Sequence, residues 1–365
     1  MIFMNDFKAE PQILRDAMME GVQRVINSGW YVLGSEVQKF EAEWARICGT
    51  TNAIGVGNGM DAIEIILRGL EIGPGDEVIT TPMTAFASVL AIYRAGATPV
   101  LADIDPTTAL MSIESATRCI SGRTKAILLV HLYGQLCNID LWQKFCDEYG
   151  ISLVEDCAQA HLASIDEKCA GSFGVAAAFS FYPTKNIGAF GDSGAIVTDN
   201  PKIFQKIKML RNYGSEVKYH NEILGVNSRM DEIQASILSI KLKYYLEYLK
   251  NKNHIAQRYL NEIKNDYIKL PVVRENSEHV WHLFVVFSDY RDELKKYLEE
   301  KNIITDIHYP IPPHLSNAYK DLNFSLGDFP ITEKFANSVL SLPIYEGMSD
   351  SKISYVIRVI NDFIL

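Results

Sequence analysis

The chain has 365 residues, 48% of them apolar and 22% charged, with a formal net charge of −10. Such a length buries a large core and suggests two compact units rather than one. The charge is spread along the chain, which argues against a nucleic-acid or membrane-surface partner. Residues Met1 to Asp6 lack the basic and then apolar run of a signal peptide, and no apolar segment is long enough to span a bilayer, so a cytoplasmic protein is expected. The six cysteines (Cys48, Cys119, Cys137, Cys146, Cys157, Cys169) form no Cys-x-x-Cys pair and read as scattered reduced thiols.

Apolar positions at helical spacing from Pro11 to Asn27 predict an amphipathic helix, and a second is expected from Ser35 to Cys48 with Phe40 and Trp44 on one face. Ala53 to Gly59 then reads as a strand entering a glycine turn, followed by a helix from Met60 to Leu70. Amides exposed at such a helix start suit a phosphate, although Gly-x-Gly-x-Gly also occurs in ordinary tight turns. Strands are expected at Val78 to Thr80, Ala97 to Ala102, Ala126 to Leu132, Ser152 to Val154, Ala176 to Phe181 and Ala195 to Val197, with helical patterns between them. Continuous apolar strands of this kind predict an α/β protein with a mainly parallel sheet covered on both faces. A long helix follows from Arg229. Past about Lys250 the pattern predicts a smaller unit, with a strand at Val280 to Phe287, a helix at Arg291 to Lys301, a strand at Ile303 to Ile307 and a last helix through Ile353 and Ile360.

Ligands gather at the carboxyl ends of parallel strands, and Gly59, His131, Asp156 and Lys185 all follow predicted strand ends. Lys185 lies beyond the apolar run Val175 to Phe181 and ahead of a glycine-rich turn. A desolvated amine there loses its proton readily and can attack a carbonyl to form a Schiff base; a lysine that simply snorkels from a strand end fits the stretch equally well. Asp156, beside a buried strand, needs a cationic or strongly donating partner, which a protonated heterocyclic nitrogen, a helix cap or a protein arginine would each supply. His131 and His161 read as satisfied structural histidines. No histidine and carboxylate cluster with metal spacing accompanies them, so no metal is implied.

The segments Gly57-Asn58-Gly59-Met60-Asp61-Ala62, Ile72-Gly73-Pro74-Gly75-Asp76, His131-Leu132-Tyr133-Gly134, Glu155-Asp156-Cys157-Ala158-Gln159-Ala160-His161, Ser180-Phe181-Tyr182-Pro183-Thr184-Lys185-Asn186 and Gly225-Val226-Asn227-Ser228-Arg229-Met230 resemble, in order and spacing, enzymes of fold type I that use pyridoxal 5'-phosphate (PLP). The closer likeness is to the nucleotide-sugar aminotransferases of the DegT/DnrJ/EryC1/StrS family. The tail Ile307 to Leu315, with His308-Tyr309-Pro310, is similar to the branch acting at sugar C-3.

The resemblance implies an aspartate aminotransferase-like fold, with a large domain over 1–245 and a small α/β domain over 246–365. It implies that Lys185 tethers PLP and then serves as general base, and that Asp156 pairs with the pyridine nitrogen. Gln159 would lie by the ring hydroxyl. Gly59, Met60, Asp61 and Ser180 would hold the phosphate, and Asn227 would reach the phosphate in the neighbouring subunit, making a homodimer with shared sites. Tyr182, His308 and Tyr309 would line the sugar pocket. Family members usually carry an aromatic residue where Ala85 stands, so Phe86 is the candidate to stack on the cofactor ring. The implied reaction transfers an amino group from L-glutamate, leaving 2-oxoglutarate, to a nucleotide-linked keto sugar such as a dTDP-3-keto-6-deoxyhexose, through pyridoxamine 5'-phosphate. A C-4 aminotransferase of the same family, a PLP-binding sensor without catalysis and, resting on the Gly55-x-Gly57-x-Gly59 turn alone, a dinucleotide-binding oxidoreductase stay open as alternatives.

Overall fold

Two amphipathic helices open the computed structural model, which describes residues 1–365: α1 (Gln12–Ser28) and α2 (Ser35–Cys48). Each ends on a glycine in the left-handed region, Gly29 at φ 64° and Gly49 at φ 73°, a backbone state that costs glycine little. Strands and helices then alternate: β1 (Asn52–Val56), α3 (Gly59–Gly69), β2 (Glu77–Thr80), α4 (Phe86–Arg94), β3 (Thr98–Leu101), α5 (Ile113–Cys119), β4 (Thr124–Val130), α6 (Ile139–Tyr149) and β5 (Ser152–Asp156). A short ribbon, β6 (Ser164–Ile165) and β7 (Lys168–Cys169), precedes β8 (Ala176–Ser180), β9 (Gly194–Thr198) and α7 (Pro201–Leu210). The hairpin β10 (Ser215–Val217) and β11 (His220–Asn221) leads to α8 (Glu232–Glu262).

Seven of these strands form one sheet in the order β1-β9-β8-β5-β4-β2-β3, in which β9 alone runs against the rest. Period-two alternation sends neighbouring residues to opposite faces. Ala176 and Ala178 of β8 join a core with Ile63, Ile66 and Val154, whereas Ala177 and Phe179 face Phe40, Trp44 and Leu238. Both faces are therefore dry, as the continuous apolar strands require.

Helix α8 contributes Leu242 and Tyr245 to the core against β8, then Ile255, Ala256 and Tyr259 to a separate core with Phe284, Leu298 and Ile357. It passes residues 245 and 246 without a break. The second core is completed by β13 (Phe284–Phe287), α9 (Arg291–Glu300), β14 (Val339–Leu342) and α11 (Asp350–Asn361), whereas β12 (Ser277–Glu278) pairs with β6 and α10 (Pro330–Ser338) sends Phe335 to a core with Ile127 and Trp142. Two expected strands differ here. Residues Val280 to Leu283 are not strand, because Trp281 takes φ 48° and the amides of Val280 and Leu283 donate to the carbonyls of Gly134 and Tyr133. Ile303 to Ile307 makes only isolated bridges, Ile2 with Ile303 and Asp306 with Ser341.

Candidate active site

Strand β8 ends at Ser180 and the chain turns at once: the Lys185 amide donates to the Tyr182 carbonyl at 2.8 Å, and that of Ala189 to Phe181 at 2.8 Å. Phe179 and Phe181 anchor the turn edge-on against Trp44, at 4.9 and 5.1 Å between ring centroids. Lys185 is partly buried. Burial pushes its amine down to about 8, while the Asp156 carboxylate pulls it the other way. About a tenth of the amine is then neutral at pH 7, far more than for an ordinary lysine, so the group can act as nucleophile or base.

Asp156 is the last residue of β5 rather than the first beyond it, and is 5% exposed. Its carboxylate accepts from Ser88 Oγ at 2.7 Å and from the Ala158 amide at 3.1 Å. Ser88 Oγ lies 2.8 Å from Thr84 Oγ1. No arginine, lysine or histidine makes an ion pair with Asp156. A buried carboxylate whose hydrogen bonds come only from neutral donors, with the Lys185 amine acting on it without an ion pair, fits a cationic ring nitrogen arriving with a cofactor.

Gln159 follows on the same loop. Its Oε1 accepts from the Tyr133 amide at 2.6 Å and its Nε2 donates to Tyr309 Oη at 2.9 Å. Tyr133 donates its hydroxyl to the His308 carbonyl, and His308 Nδ1 lies 2.8 Å from Ser341 Oγ. The C-terminal segment carrying His308 and Tyr309 is thus tied to the carboxyl edge of the sheet beside Gln159.

At α3, Asn58 caps the helix by accepting the Asp61 amide at 2.8 Å, leaving the amides of Gly59 and Met60 at the open end. Gly59 abuts Ser180 so closely that a Cβ would lie 2.6 Å from the serine Cβ. That contact brings the helix end to the strand end that precedes Lys185, and the pair can cradle a phosphate. The side chain of Asp61 is occupied elsewhere, accepting from Arg94 Nη1 at 2.9 Å and Ser228 Oγ at 2.7 Å.

Phe86 departs from expectation. Its ring stacks on Tyr319 at 4.7 Å, and Tyr319 stacks on Tyr93 at 5.4 Å. Positions 86 and 93 share one face of α4, whereas Ser88, which reaches Asp156, lies on the other. Helix phase therefore directs Phe86 to the C-terminal segment rather than toward Asp156. Tyr182 is exposed, and so is Asn227, beside the Ser228 that bonds to Asp61.

The two histidines part company. His131 Nε2 lies 3.0 Å from Glu155, its Nδ1 accepts the Cys137 amide at 3.2 Å, and it is satisfied. His161 is sealed among Trp44, Phe179 and Phe181 with neither ring nitrogen hydrogen-bonded, contrary to expectation. Burial, with the nearby Lys185 charge, lowers it to about 3, so it stays neutral.

Sequence reasoning missed Glu155. Its carboxylate also accepts the amides of Gly171, Phe173 and Gly174 at 2.8 to 2.9 Å. Burial works to raise its pKa, yet His131 and these amides hold it below the usual value. His131, Glu155 and Cys157 sit close enough to resemble a metal cluster, but the His131 nitrogens and both Glu155 oxygens are engaged within the protein. Ser88 and Tyr133 were missed as well. Thr84 and Ser88 at i, i+4 on a helix start were the only sequence signal, and nothing local says that they meet Asp156.

The sequence profile of the DegT/DnrJ/EryC1/StrS aminotransferase family matches residues 12–361. A dTDP-3-amino-3,6-dideoxy-alpha-D-galactopyranose transaminase from Aneurinibacillus thermoaerophilus is 47% identical over 346 residues, 95% of each chain. A dTDP-3-amino-3,4,6-trideoxy-alpha-D-glucose transaminase from Streptomyces venezuelae is 45% identical, over 93% of this chain and 90% of that one. Among solved structures, S. venezuelae DesV in complex with a ketimine intermediate superposes with a TM-score of 0.97 at 42% identity, covering 99% of this chain and 98% of that one. By sequence and by fold, this chain belongs to the DegT/DnrJ/EryC1/StrS aminotransferase family, whose cofactor is pyridoxal 5'-phosphate.

Proposed function

We propose that the protein moves an amino group from L-glutamate to the C-3 keto group of a dTDP-linked 6-deoxyhexose. The observation that carries the reading is the pairing of an amine depressed to about 8 with a buried carboxylate that has no cationic partner, both at the carboxyl edge of one sheet. PLP supplies an electrophilic carbon and an electron sink when bound. Asp156 holds a positive charge at the ring nitrogen, and Ser88 and Ala158 fix the direction of its carboxylate. Gln159, itself fixed by Tyr133 and Tyr309, would lie by the ring hydroxyl. The amides of Gly59 and Met60, with Ser180, hold the phosphate, and Asp61 contributes through the helix end rather than through its side chain. Lys185 would tether the cofactor and, when free, would hold and move the proton exchanged at the donor or sugar carbon.

Residues 1–245 would carry the cofactor and 246–365 would close the sugar side, with Tyr182, His308 and Tyr309 facing the sugar. Asn227 would complete the phosphate site of a second copy, giving a homodimer. Exposed aromatic rings at Trp30, Tyr31, Phe190 and Tyr213 support such an interface. The C-3 position is favoured by the names of the two similar relatives, both 3-amino sugar transaminases.

The test is an absorbance spectrum of purified protein with PLP, before and after L-glutamate, beside Lys185→Ala. Wild type should show a visible band that glutamate converts to a near-ultraviolet one, and the variant should show no lysine-bound band and lose roughly 10³-fold or more in turnover. A 3-keto sugar nucleotide should then restore the visible band. A band that no amino donor converts would identify a sensor, and conversion only by the 4-keto isomer would move the chemistry to C-4.

A further inference from the structure

The residue after the candidate cofactor lysine is held by a second lysine. Asn186 Oδ1 accepts from Lys252 Nζ at 2.9 Å, and Asn186 Nδ2 donates to the Val280 carbonyl at 2.7 Å. Lys252 Nζ also reaches the Trp281 carbonyl at 3.3 Å. One ammonium group thus binds the turn carrying Lys185, on one side, to the irregular segment at residues 280 and 281, on the other.

Lys252 is 8% exposed and makes no ion pair. Glu346 is the acid that acts on it, yet that carboxylate gives one oxygen to Asn251 at 2.6 Å and leaves the other unpartnered. A buried cation without a paired anion is costly, and an apolar side chain at this point of α8 would remove the cost. What an apolar side chain could not do is donate to Asn186 and Trp281 together. Lys252, Glu346 and Lys185 also border a cavity of about 60 Å³, which Asp6 and Glu10 help to line. Without the bridge, the turn has space to move into. That cavity meets the candidate site only at the Lys185 turn and includes none of Asp156, Gln159, Ser180 or Tyr309.

We propose that Lys252 is a positioning residue that, through Asn186, fixes the backbone from which Lys185 extends and so sets where its amine meets the cofactor. The inference rests on Lys185 being the cofactor lysine. Small misplacement of a reacting group is enough to lower a rate by an order of magnitude or more, so the effect belongs in the covalent capture of PLP and in proton transfer, not in donor affinity.

The test uses the full-length protein with PLP. Lys252→Met removes the donors at similar length, and Lys252→Arg keeps donors and charge. Three quantities are read: the rate constant for growth of the visible band on adding PLP to apoprotein, the fraction of cofactor trapped on Lys185 by borohydride and located by peptide mass, and kcat and KM for L-glutamate in the first half-reaction. Lys252→Met should slow capture and lower kcat about tenfold with KM within about twofold, and Lys252→Arg should recover most of the loss. If Lys252→Met fails to fold, Asn186→Ala should give the same kinetic split, and Asn186→Asp, which forms an ion pair with Lys252, should capture PLP faster than Asn186→Ala. Lowered thermal stability in Lys252→Met and Asn186→Ala with capture rate and kcat within twofold of wild type would overturn the inference. Borohydride trapping in wild type at a residue other than Lys185 would instead overturn the cofactor assignment, independently of the variants.

Discussion

The two sides of the candidate site are delivered by different kinds of chain. Asp156 ends a strand paired on both edges, by β4 and by β8, and Lys185 follows the end of β8, whose Ala176 to Phe179 are fully buried. His308 and Tyr309 arrive on a stretch that makes only isolated bridges and is secured by side-chain hydrogen bonds to Tyr133, Gln159 and Ser341. Sheet backbone fixes the groups that would meet one invariant cofactor. Irregular chain carries those that would meet a variable sugar, where a change of side chain does not disturb the core.

Four expectations probe that division. The largest effect is at Asp156: Asp156→Asn keeps the shape and loses the charge, and should lower the rate of the glutamate half-reaction roughly 10²- to 10³-fold in single-turnover measurements. A loss confined to sugar KM would place Asp156 on the wrong side of the division. Next is pH. With the Lys185 amine at about 8, burial being the main cause, the neutral form falls about tenfold per pH unit below that value and saturates above it. The rate of PLP capture by apoprotein should follow this curve, and a midpoint near the ordinary lysine value would show that the amine is not desolvated. Tyr309→Phe comes third, leaving the Gln159 amide without its acceptor. It should cost about 1 to 3 kcal/mol in kcat/KM for the sugar nucleotide, with the glutamate half-reaction changed far less. The smallest effect is at Phe86→Ala, which breaks the stack on Tyr319 and should lower thermal stability by about 1 kcal/mol beyond the lost burial while PLP affinity stays within twofold. A large loss of PLP affinity would bring Phe86 back over the cofactor.

The parts legible in the sequence were those fixed by short-range pattern. Apolar runs placed all seven strands of the main sheet, and the residues at their ends include Asp156 and the approach to Lys185. Glu155 was hidden because its donors, Gly171, Phe173 and Gly174, lie on a loop whose return to β5 depends on β8 pairing beside it. Phe86 was misplaced because a helix start was legible but its rotational phase was not: the face that meets Asp156 is fixed by Ser88, and the face that meets Tyr319 by a segment more than two hundred residues away. The strand expected at Val280 to Phe287 forms only over Phe284–Phe287, although its first half had the right composition. That first half gives way because the amides of Val280 and Leu283 are claimed by the carbonyls of Gly134 and Tyr133.

Glu155 and Asp156 are neighbours with opposite hydrogen-bonding economies, one saturated by four donors and the other held open by two. Because adjacent residues of β5 face opposite ways, a slip of one residue would exchange them. The carboxylate turned into the loop would then meet donors spaced for a longer side chain, and the one turned toward the site would leave four donors behind. Mispairing of β5 with β4 or β8 is therefore penalised on both faces of the sheet at once, so the adjacent acids also help to fix the register of the central strand.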